Sequence, residues 1–346
     1  MSASFPAGPP YLRDKLDSKA VMHATLIALA PAGVGAVYFF GSRILLVVLL
    51  GALAAVATEV IGQVAARRRP AASDGSALLT GVLLAFTLPP EVPYWIPVVG
   101  SVFAVGVAKA AFGGLGYNLV NPALAARAFL MLCWPAHLMV WTAPSRGTLS
   151  GISGMDAVTT ATPLGVHRMA RGILADPSST AQDIAVAANN LKALGSTDSL
   201  KNLFFGNVGG SIGETSALLL AIGGLYLLAR RMICWRIPAA FILTVGFLTW
   251  TLGAQGGFTG NPLFHTMSGG LLLGALFMAT DPVTSPITPA GRIIFGFGCG
   301  VITSILRLTG SYPEGVCYSI LMMNLTVPLI DRATRPRIFG EQGLRR

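Results

Sequence analysis

The sequence predicts an all-α integral membrane protein with about ten transmembrane segments, two of them short broken or re-entrant helices, arranged as two inverted five-segment repeats. Three observations carry this. The 346 residues are 53% hydrophobic and 11% charged, with a mean hydropathy of +0.67, against roughly 45–50% apolar and 25% charged in an ordinary soluble domain. The apolar residues gather in runs long enough to cross a hydrocarbon core about 30 Å thick, which takes about 20 helical residues. The basic residues sit at the ends of those runs, mostly on one side. A soluble globule, a disordered tail and a nucleic-acid binder are therefore poor fits despite the net charge of +10. The partner that this charge distribution calls for is the lipid bilayer, not nucleic acid.

In chain order, full spans are expected at 20–41, 44–66, 95–113, 120–142, 214–230, 237–256, 291–309 and 315–331. Two shorter runs, 75–88 and 267–280, end in Thr87-Leu88-Pro89-Pro90 and Thr280-Asp281-Pro282. Proline removes a backbone donor and stops a helix there. With alternating spans, Arg13, Lys15 and Lys19, then Arg67 to Arg69, Arg230, Arg231 and Arg236, Arg292, and finally Arg332, Arg335, Arg337, Arg345 and Arg346 fall on one side. These are 15 of the 24 basic residues, so that side is expected to be cytoplasmic, both termini with it. The organisation is then a cytoplasmic N-terminal segment (1–19), a first membrane repeat (20–142), one long external loop (143–213), a second membrane repeat (214–331) and a cytoplasmic basic tail (332–346). No A-x-A site follows a short apolar run near the start, so no cleaved signal peptide is expected.

Sliding the chain by 193 positions lays Gly81, Thr87, Pro89 and Pro93 on Gly274, Thr280, Pro282 and Pro286. Five segments per repeat is an odd number, so the second repeat enters with opposite polarity. In that plan interrupted helices meet near the midplane and line a site, their freed backbone covered by protein or water.

Cys133, Cys234, Cys299 and Cys317 stand far apart with no C-x-x-C pair and are read as free thiols; with His23, His137, His167 and His265 equally scattered, no metal site is expected. Ionisable residues inside spans are costly and point to function. Glu59 reads either as part of an ion or proton path or as a structural partner of Arg127. Lys109 belongs to the same path or snorkels to the cytoplasmic interface. Asp281 either caps the Pro282 turn or forms a cation or proton station with the carbonyls of the broken helix. Glu314 reads as a helix N-terminal carboxylate. Gly296, Gly298 and Gly300 lie inside a span and read as packing glycines, not a dinucleotide loop.

The external loop carries Asp156-Ala157-Val158-Thr159-Thr160-Ala161-Thr162-Pro163-Leu164. Read alone, it is an extended stretch before a proline. The string also resembles the flavin-attachment motif D-x-x-[ST]-[GST]-A-T-P/A-L, in which the last threonine, here Thr162, carries FMN through a phosphoester. The resemblance then spreads along the chain: Gly113-Gly114-Leu115-Gly116-Tyr117-Asn118 through Asn121-Pro122-Ala123, Gly206-Asn207, Gly210-Ser211-Ile212-Gly213-Glu214-Thr215-Ser216, Ala279 through Pro286, Gly291-Arg292, Tyr312-Pro313-Glu314-Gly315 and Met323-Asn324. Taken together these resemble the D-subunit family of the Rnf ion-translocating ferredoxin:NAD oxidoreductases, relatives of the B subunit of the sodium-pumping NADH:quinone reductase. Thr159-Thr160 departs from the family's usual Ser/Thr-Gly, while Ala161 and Thr162 are intact.

The resemblance implies an electron-carrying subunit of the bacterial inner membrane with covalent FMN on Thr162 and a second, noncovalent flavin, riboflavin. It also implies partner Rnf subunits: the external FMN-bearing G subunit, the membrane A and E subunits and the cytoplasmic C subunit. The orientation from the charges independently puts Thr162 outside. The Gly-rich stretch through Gly210, Ser211 and Gly213 into Glu214 offers backbone N–H groups and a helix start to a flavin phosphate; close packing, or a plain helix start capped by Ser211, is the plainer reading. Two other classes stay open: a channel or secondary transporter with no redox role, and a scaffold that seats other subunits.

Overall fold

The computed structural model describes residues 18–67, 74–144, 161–253, 258, 260–309 and 314–335, and these are helical, with no strand among them. Helix α1 (Ser18–Phe40) turns at Gly41, whose φ of +87° suits a residue without a Cβ, into α2 (Arg43–Ala65). Helix α3 (Ser76–Phe86) stops where Thr87 Oγ donates back to Leu84 O at 2.7 Å ahead of Pro89 and Pro90. Helix α4 (Trp95–Val102) continues as a π-turn (Phe103–Val107) and a 3₁₀ turn (Ala110–Phe112). Helix α5 (Pro122–Cys133) opens under the Asn121 side chain, which accepts from the Ala123 and Leu124 amides at 3.0 and 3.4 Å.

The expected span 120–142 is shorter than the sequence reading: Pro135 forces Trp134 out of helical φ/ψ, ending α5 and leaving only the turn α6 (Pro135–Leu138). The connection expected to be an external loop, 143–213, is not a loop throughout. It folds into α7 (Pro163–Ala175), α8 (Ala181–Leu194) and α9 (Thr197–Phe205), started by Thr162, the Thr180/Asp183 capping box and Ser196. A 3₁₀ turn (Ile212–Glu214) precedes α10 (Ala217–Ala229), which is followed by α11 (Arg236–Leu252) and α12 (Pro262–Met267). The short α13 (Leu271–Leu273) runs into a second π-turn (Gly274–Met278), and α14 (Pro289–Thr309) and α15 (Val316–Ala333) close the chain.

Four helices, Ser18–Phe40, Arg43–Ala65, Trp95–Phe112 and Pro289–Thr309, are long and apolar enough to cross a membrane, and four shorter apolar ones accompany them. The burial pattern has the sense of a multi-pass membrane protein. The broken helices lie inside: Leu84, Ala85, Leu88, Leu271 and Ala275 are fully buried. Large apolar side chains on α2, α11 and α15 point outward, among them Leu53, Ile61, Leu243, Phe247 and Leu329. In water such a surface would be a liability, whereas lipid solvates it. Where backbones cross, small residues allow it. A Cβ on Gly223 would lie 2.1 Å from Ala28 O at the α1–α10 crossing, and one on Gly81 2.6 Å from Gly51 O between α2 and α3. Gly296, Gly298 and Gly300 do pack closely, Gly296 and Gly300 against α11 and Gly298 on Met323.

Helix starts recur at an offset of 193 or 194 residues. Arg43 and Arg236 open α2 and α11, 193 residues apart, while Trp95 and Pro289 open α4 and α14, and Pro122 and Val316 open α5 and α15, each pair 194 apart. The two π-turns occupy non-equivalent places, one after α4 and one in the second broken helix.

Candidate functional site

Thr162 is extended, with φ −63° and ψ 154°, and caps α7: its Oγ accepts from the Gly165 amide at 3.1 Å. The extended backbone matches the expectation from Pro163, but the side chain is buried, 9% exposed, so the hydroxyl is not freely presented. The cause is its capping role. Ala161 is exposed, and Leu164 packs with Leu203 and Phe264 in a small core beneath α7 and α9. Asp156, Thr159 and Thr160 lie outside the described residues.

Behind Thr162 is a cavity of about 10 Å³ bordered by Gly210, Glu214, Gly269 and Glu314. This is room for about one water. The Glu214 carboxylate sits between two glycines: a Cβ on Gly270 would fall 2.9 Å from its Oε1, and one on Gly210 3.6 Å from its Oε2. Glu214 does not open a helix as expected. It ends the 3₁₀ turn, Ser211 supplies no side-chain cap, and Ser216 caps α10 instead by accepting from the Leu219 amide at 3.3 Å. Gly213 is held against Phe86.

Two arginines frame this cavity. Arg127 of α5 pairs with Glu314, so the expected Glu59–Arg127 bridge is not formed. Arg307 of α14, 4% exposed, spends its guanidinium on backbone carbonyls: Nε donates to Glu314 O at 3.3 Å, Nη2 to Ser268 O at 3.1 Å and Nη1 to His265 O. His265 meets His167 of α7 edge to face at 4.8 Å between ring centres. Burial and the nearby Arg171 and Arg307 push His167 down to about 4; burial first, then Arg307, His167 and Arg171, push His265 down to about 2. Both are neutral at pH 7. An anion esterified to Thr162 would stand at the positive end of α7 beside the Leu164 amide; Pro163 has no N–H, and the Gly165 and Val166 amides already donate to Thr162 Oγ and O. Arg127 and Arg307 offset Glu214 and Glu314, so the charge balance there suits a phosphate. The small cavity behind Thr162 leaves a flavin ring to lie elsewhere.

A second polar cluster surrounds Lys109, at the end of the π-turn. The chain does not let it snorkel: Lys109 is 3% exposed, and Nζ lies 2.5 Å from Glu59 Oε1 and 2.6 Å from Ser76 Oγ. Ser76 Oγ in turn donates to Asp74 Oδ1 at 2.8 Å. Glu59 Oε2 is buried and accepts no hydrogen bond. Lys109 lines two spaces, a crevice of about 510 Å³ shared with Glu59 and Asp74 and a cavity of about 60 Å³ shared with Asp281 and Asn118. Asp281 caps its turn, accepting from the Val283 amide at 3.3 Å and from Thr284 Oγ at 3.2 Å, and stands in the wall of that cavity. Asn121 Nδ2 donates to Met278 O at 3.3 Å. Asn324, with its amide set to satisfy both neighbours, accepts from the Asn121 amide at 3.0 Å and donates to Thr284 O at 3.1 Å. Residues far apart in sequence thus close around the second broken helix.

The sequence reading missed Arg307, Ser76, Asp74 and the His167–His265 contact. Arg307 was detectable, since it lies within an expected span as Arg127 does. The four cysteines are free, and no cluster of three metal-ligating side chains exists among the described residues.

A model of the NQR2, RnfD, RnfE family matches residues 6–340. The chain is 45% identical over 333 residues to the D subunit of the proton-translocating ferredoxin:NAD(+) oxidoreductase complex of Clostridium ljungdahlii, covering 96% of this chain and 94% of the relative. It is 44% identical over 333 residues to the D subunit of the Na(+)-translocating ferredoxin:NAD(+) oxidoreductase complex of Acetobacterium woodii, covering 96% and 93%. It is also 42% identical over 347 residues to the D subunit of the ion-translocating oxidoreductase complex of Stutzerimonas stutzeri, covering 95% and 93%.

Proposed function

The chain belongs to the NQR2, RnfD, RnfE family, and on that premise we propose that it is the D-type membrane subunit of an ion-translocating ferredoxin:NAD oxidoreductase complex, bearing covalent FMN on Thr162. The observation that carries the flavin assignment is the threonine itself: the acceptor position of the attachment string is the N-cap of α7, where its Oγ already faces a helix amide. A phosphoester there gains the Leu164 amide and the positive end of the α7 dipole. A flavin so held supplies one-electron exchange between carriers, at a local concentration set by its tether.

The chain's own residues do the rest. The α7 N-terminus binds the phosphate, Arg127 holds the Glu314 carboxylate while Arg307 holds the backbone carbonyls beside it, and the packed core under Leu164 fixes the cap. Thr162 faces outward in the charge-derived orientation, with both termini cytoplasmic in a bacterial inner membrane, toward an external FMN-bearing G subunit. The A, E and C subunits complete the electron route, with riboflavin as the second, noncovalent flavin. The recurring helix starts support two five-segment inverted repeats. Glu59, Lys109 and Asp281 form a path for the translocated ion from the cytoplasmic side. Relatives of nearly equal identity are named for protons and for Na⁺, so overall likeness does not choose the ion.

Broken helices around a cavity also suit a channel or secondary transporter with no redox role, and the flavin separates the two readings. The denatured chain run on a gel is expected to fluoresce under ultraviolet light, and Thr162→Ala to be dark. A fluorescent Thr162→Ala band would contradict the assignment, and a dark native band would favour the transporter.

A further inference from the structure

We propose that the Lys109 ammonium is a tethered surrogate cation: it fills an oxygen-lined site for a small monovalent cation, formed by Glu59 and Ser76, and leaves toward Asp281 when that cation arrives. This deepens the ion path above and rests on it.

The site is built of oxygen, the donor type that hard cations take. Nζ is 2.5 Å from Glu59 Oε1 and 2.6 Å from Ser76 Oγ, and Asp74 supports Ser76 from behind. One ammonium does not satisfy it. Glu59 is 7% exposed and its Oε2 is buried without a partner, a state that costs free energy unless something else is bound there. That carboxylate borders the crevice of about 510 Å³, so a cation has a route to it.

The lysine also has somewhere to go. The cavity of about 60 Å³ on its other side is large enough for roughly four waters. Asp281, in the cavity wall, is held by the Val283 amide and Thr284 Oγ. Charge stays balanced through the exchange: Glu59 passes from the ammonium to the incoming cation, and the ammonium passes from Glu59 to Asp281. Among the described residues, the ionisable groups around Nζ are Glu59 on α2, Asp74 ahead of α3 and Asp281, with His23 of α1 against Gly75. The backbone is suited to movement. Lys109 stands between a π-turn, a feature frequent at functional sites, and Gly113, Gly114 and Gly116 at φ +116°, +101° and +95°. Its four-carbon stem carries a compact point charge that an alkali cation can replace.

The test uses the full-length chain in lipid nanodiscs, pulsed with acetic anhydride, with Lys109 acetylation divided by that of exposed Lys192 to remove the pH dependence of the reagent. In choline chloride at pH 8 the ratio is expected to be near zero. In one arm NaCl replaces choline chloride at constant ionic strength; in the other the pH is lowered to 6 without Na⁺. A several-fold rise in the first arm identifies Na⁺ as the exchanging cation, and a rise only in the second identifies the proton. Glu59→Gln is expected to give a high ratio in every buffer. Should that variant not fold, Ser76→Ala keeps the ion pair and is expected to raise the Na⁺-free ratio about fivefold through loss of one hydrogen bond. A ratio that stays at the floor in both arms, or in Ser76→Ala, overturns the proposal, as does an equal rise when choline chloride alone is increased. Ion translocation by the assembled complex separates the two claims. Lost in Glu59→Gln while the wild-type ratio never responds, it keeps the ion path and rejects the moving lysine; unchanged in Glu59→Gln, it rejects the path itself.

Discussion

The two polar clusters of this molecule bury similar charges and treat them differently. Around Thr162, Arg127 and Arg307 divide their donors among Glu314 and three backbone carbonyls, and the space left over is about 10 Å³. Around Lys109 a single ion pair stands beside spaces of about 60 and 510 Å³; each cluster leaves one carboxylate oxygen unspent, Glu314 Oε1 in the first and Glu59 Oε2 in the second, but only the second has such space beside it. A buried charge whose partners are all fixed acts as framework, because no alternative partner is within reach. One with a spare acceptor and adjoining water can change partners without a bare charge in low dielectric. The first cluster suits holding a tethered group still, the second suits exchange.

The largest expected effect comes from removing an arginine of the framework. Arg307→Met removes the donor to the His265 and Ser268 carbonyls, leaves Glu314 O with the Val316 amide alone, and is expected to destabilise the chain by about 3–5 kcal/mol, read as a lower thermal midpoint in detergent. Lys109→Met is expected to cost less than half as much, because the adjoining crevice of about 510 Å³ leaves room for water beside Glu59. Equal losses would erase the contrast between the clusters.

Acidification probes the same contrast. His167 is neutral when folded, with its pKa depressed to about 4 from 6.5. The unfolded chain therefore binds the extra proton below pH 6.5, and stability falls as pH drops from there toward 4. By pH 5 His167 alone is expected to contribute a loss of about 2 kcal/mol, and His265 moves the same way. Hydrogen exchange at pH 7.5 and 5 is expected to show protection lost in α7 and α12 and retained in α2. A uniform loss would mean that the histidines do not govern the change.

Gly270→Ala is expected to cost about 1–3 kcal/mol by driving a Cβ against the Glu214 carboxylate, whereas Gly114→Ala has open space and only backbone strain to meet, about 1 kcal/mol. The smallest effect is that of the cap. Thr162→Ala is expected to lower stability by about 1 kcal/mol and Thr162→Ser by less, since the serine hydroxyl still accepts from Gly165.

Most of the helices were legible because twenty apolar residues admit few other fates. Expected spans 44–66 and 95–113 nearly coincide with Arg43–Ala65 and Trp95–Phe112. The polar connection was not: α8 and α9 lack the long apolar run that marks a span, although Thr180, Asp183 and Ser196 carry helix-start signals. The attachment string singled out Thr162 but not its burial, which follows from its own capping bond. Pairing was the least legible. Glu59 and Lys109 lie 50 residues apart, and the π-turn inserts a residue that rotates Lys109 by about 100° from where a regular helix would carry it. Only folding shows that Arg127 is taken by Glu314 and that Lys109 remains for Glu59.

The central claim concerns the bond at Thr162, and peptide mass mapping of the native chain reads it most directly. Co-expressed with a flavin transferase, the peptide containing Thr162 is expected to carry one FMN, and without the transferase, or as Thr162→Ala, none. An unmodified peptide from the co-expressed native chain, or FMN found on a different residue, would contradict the account.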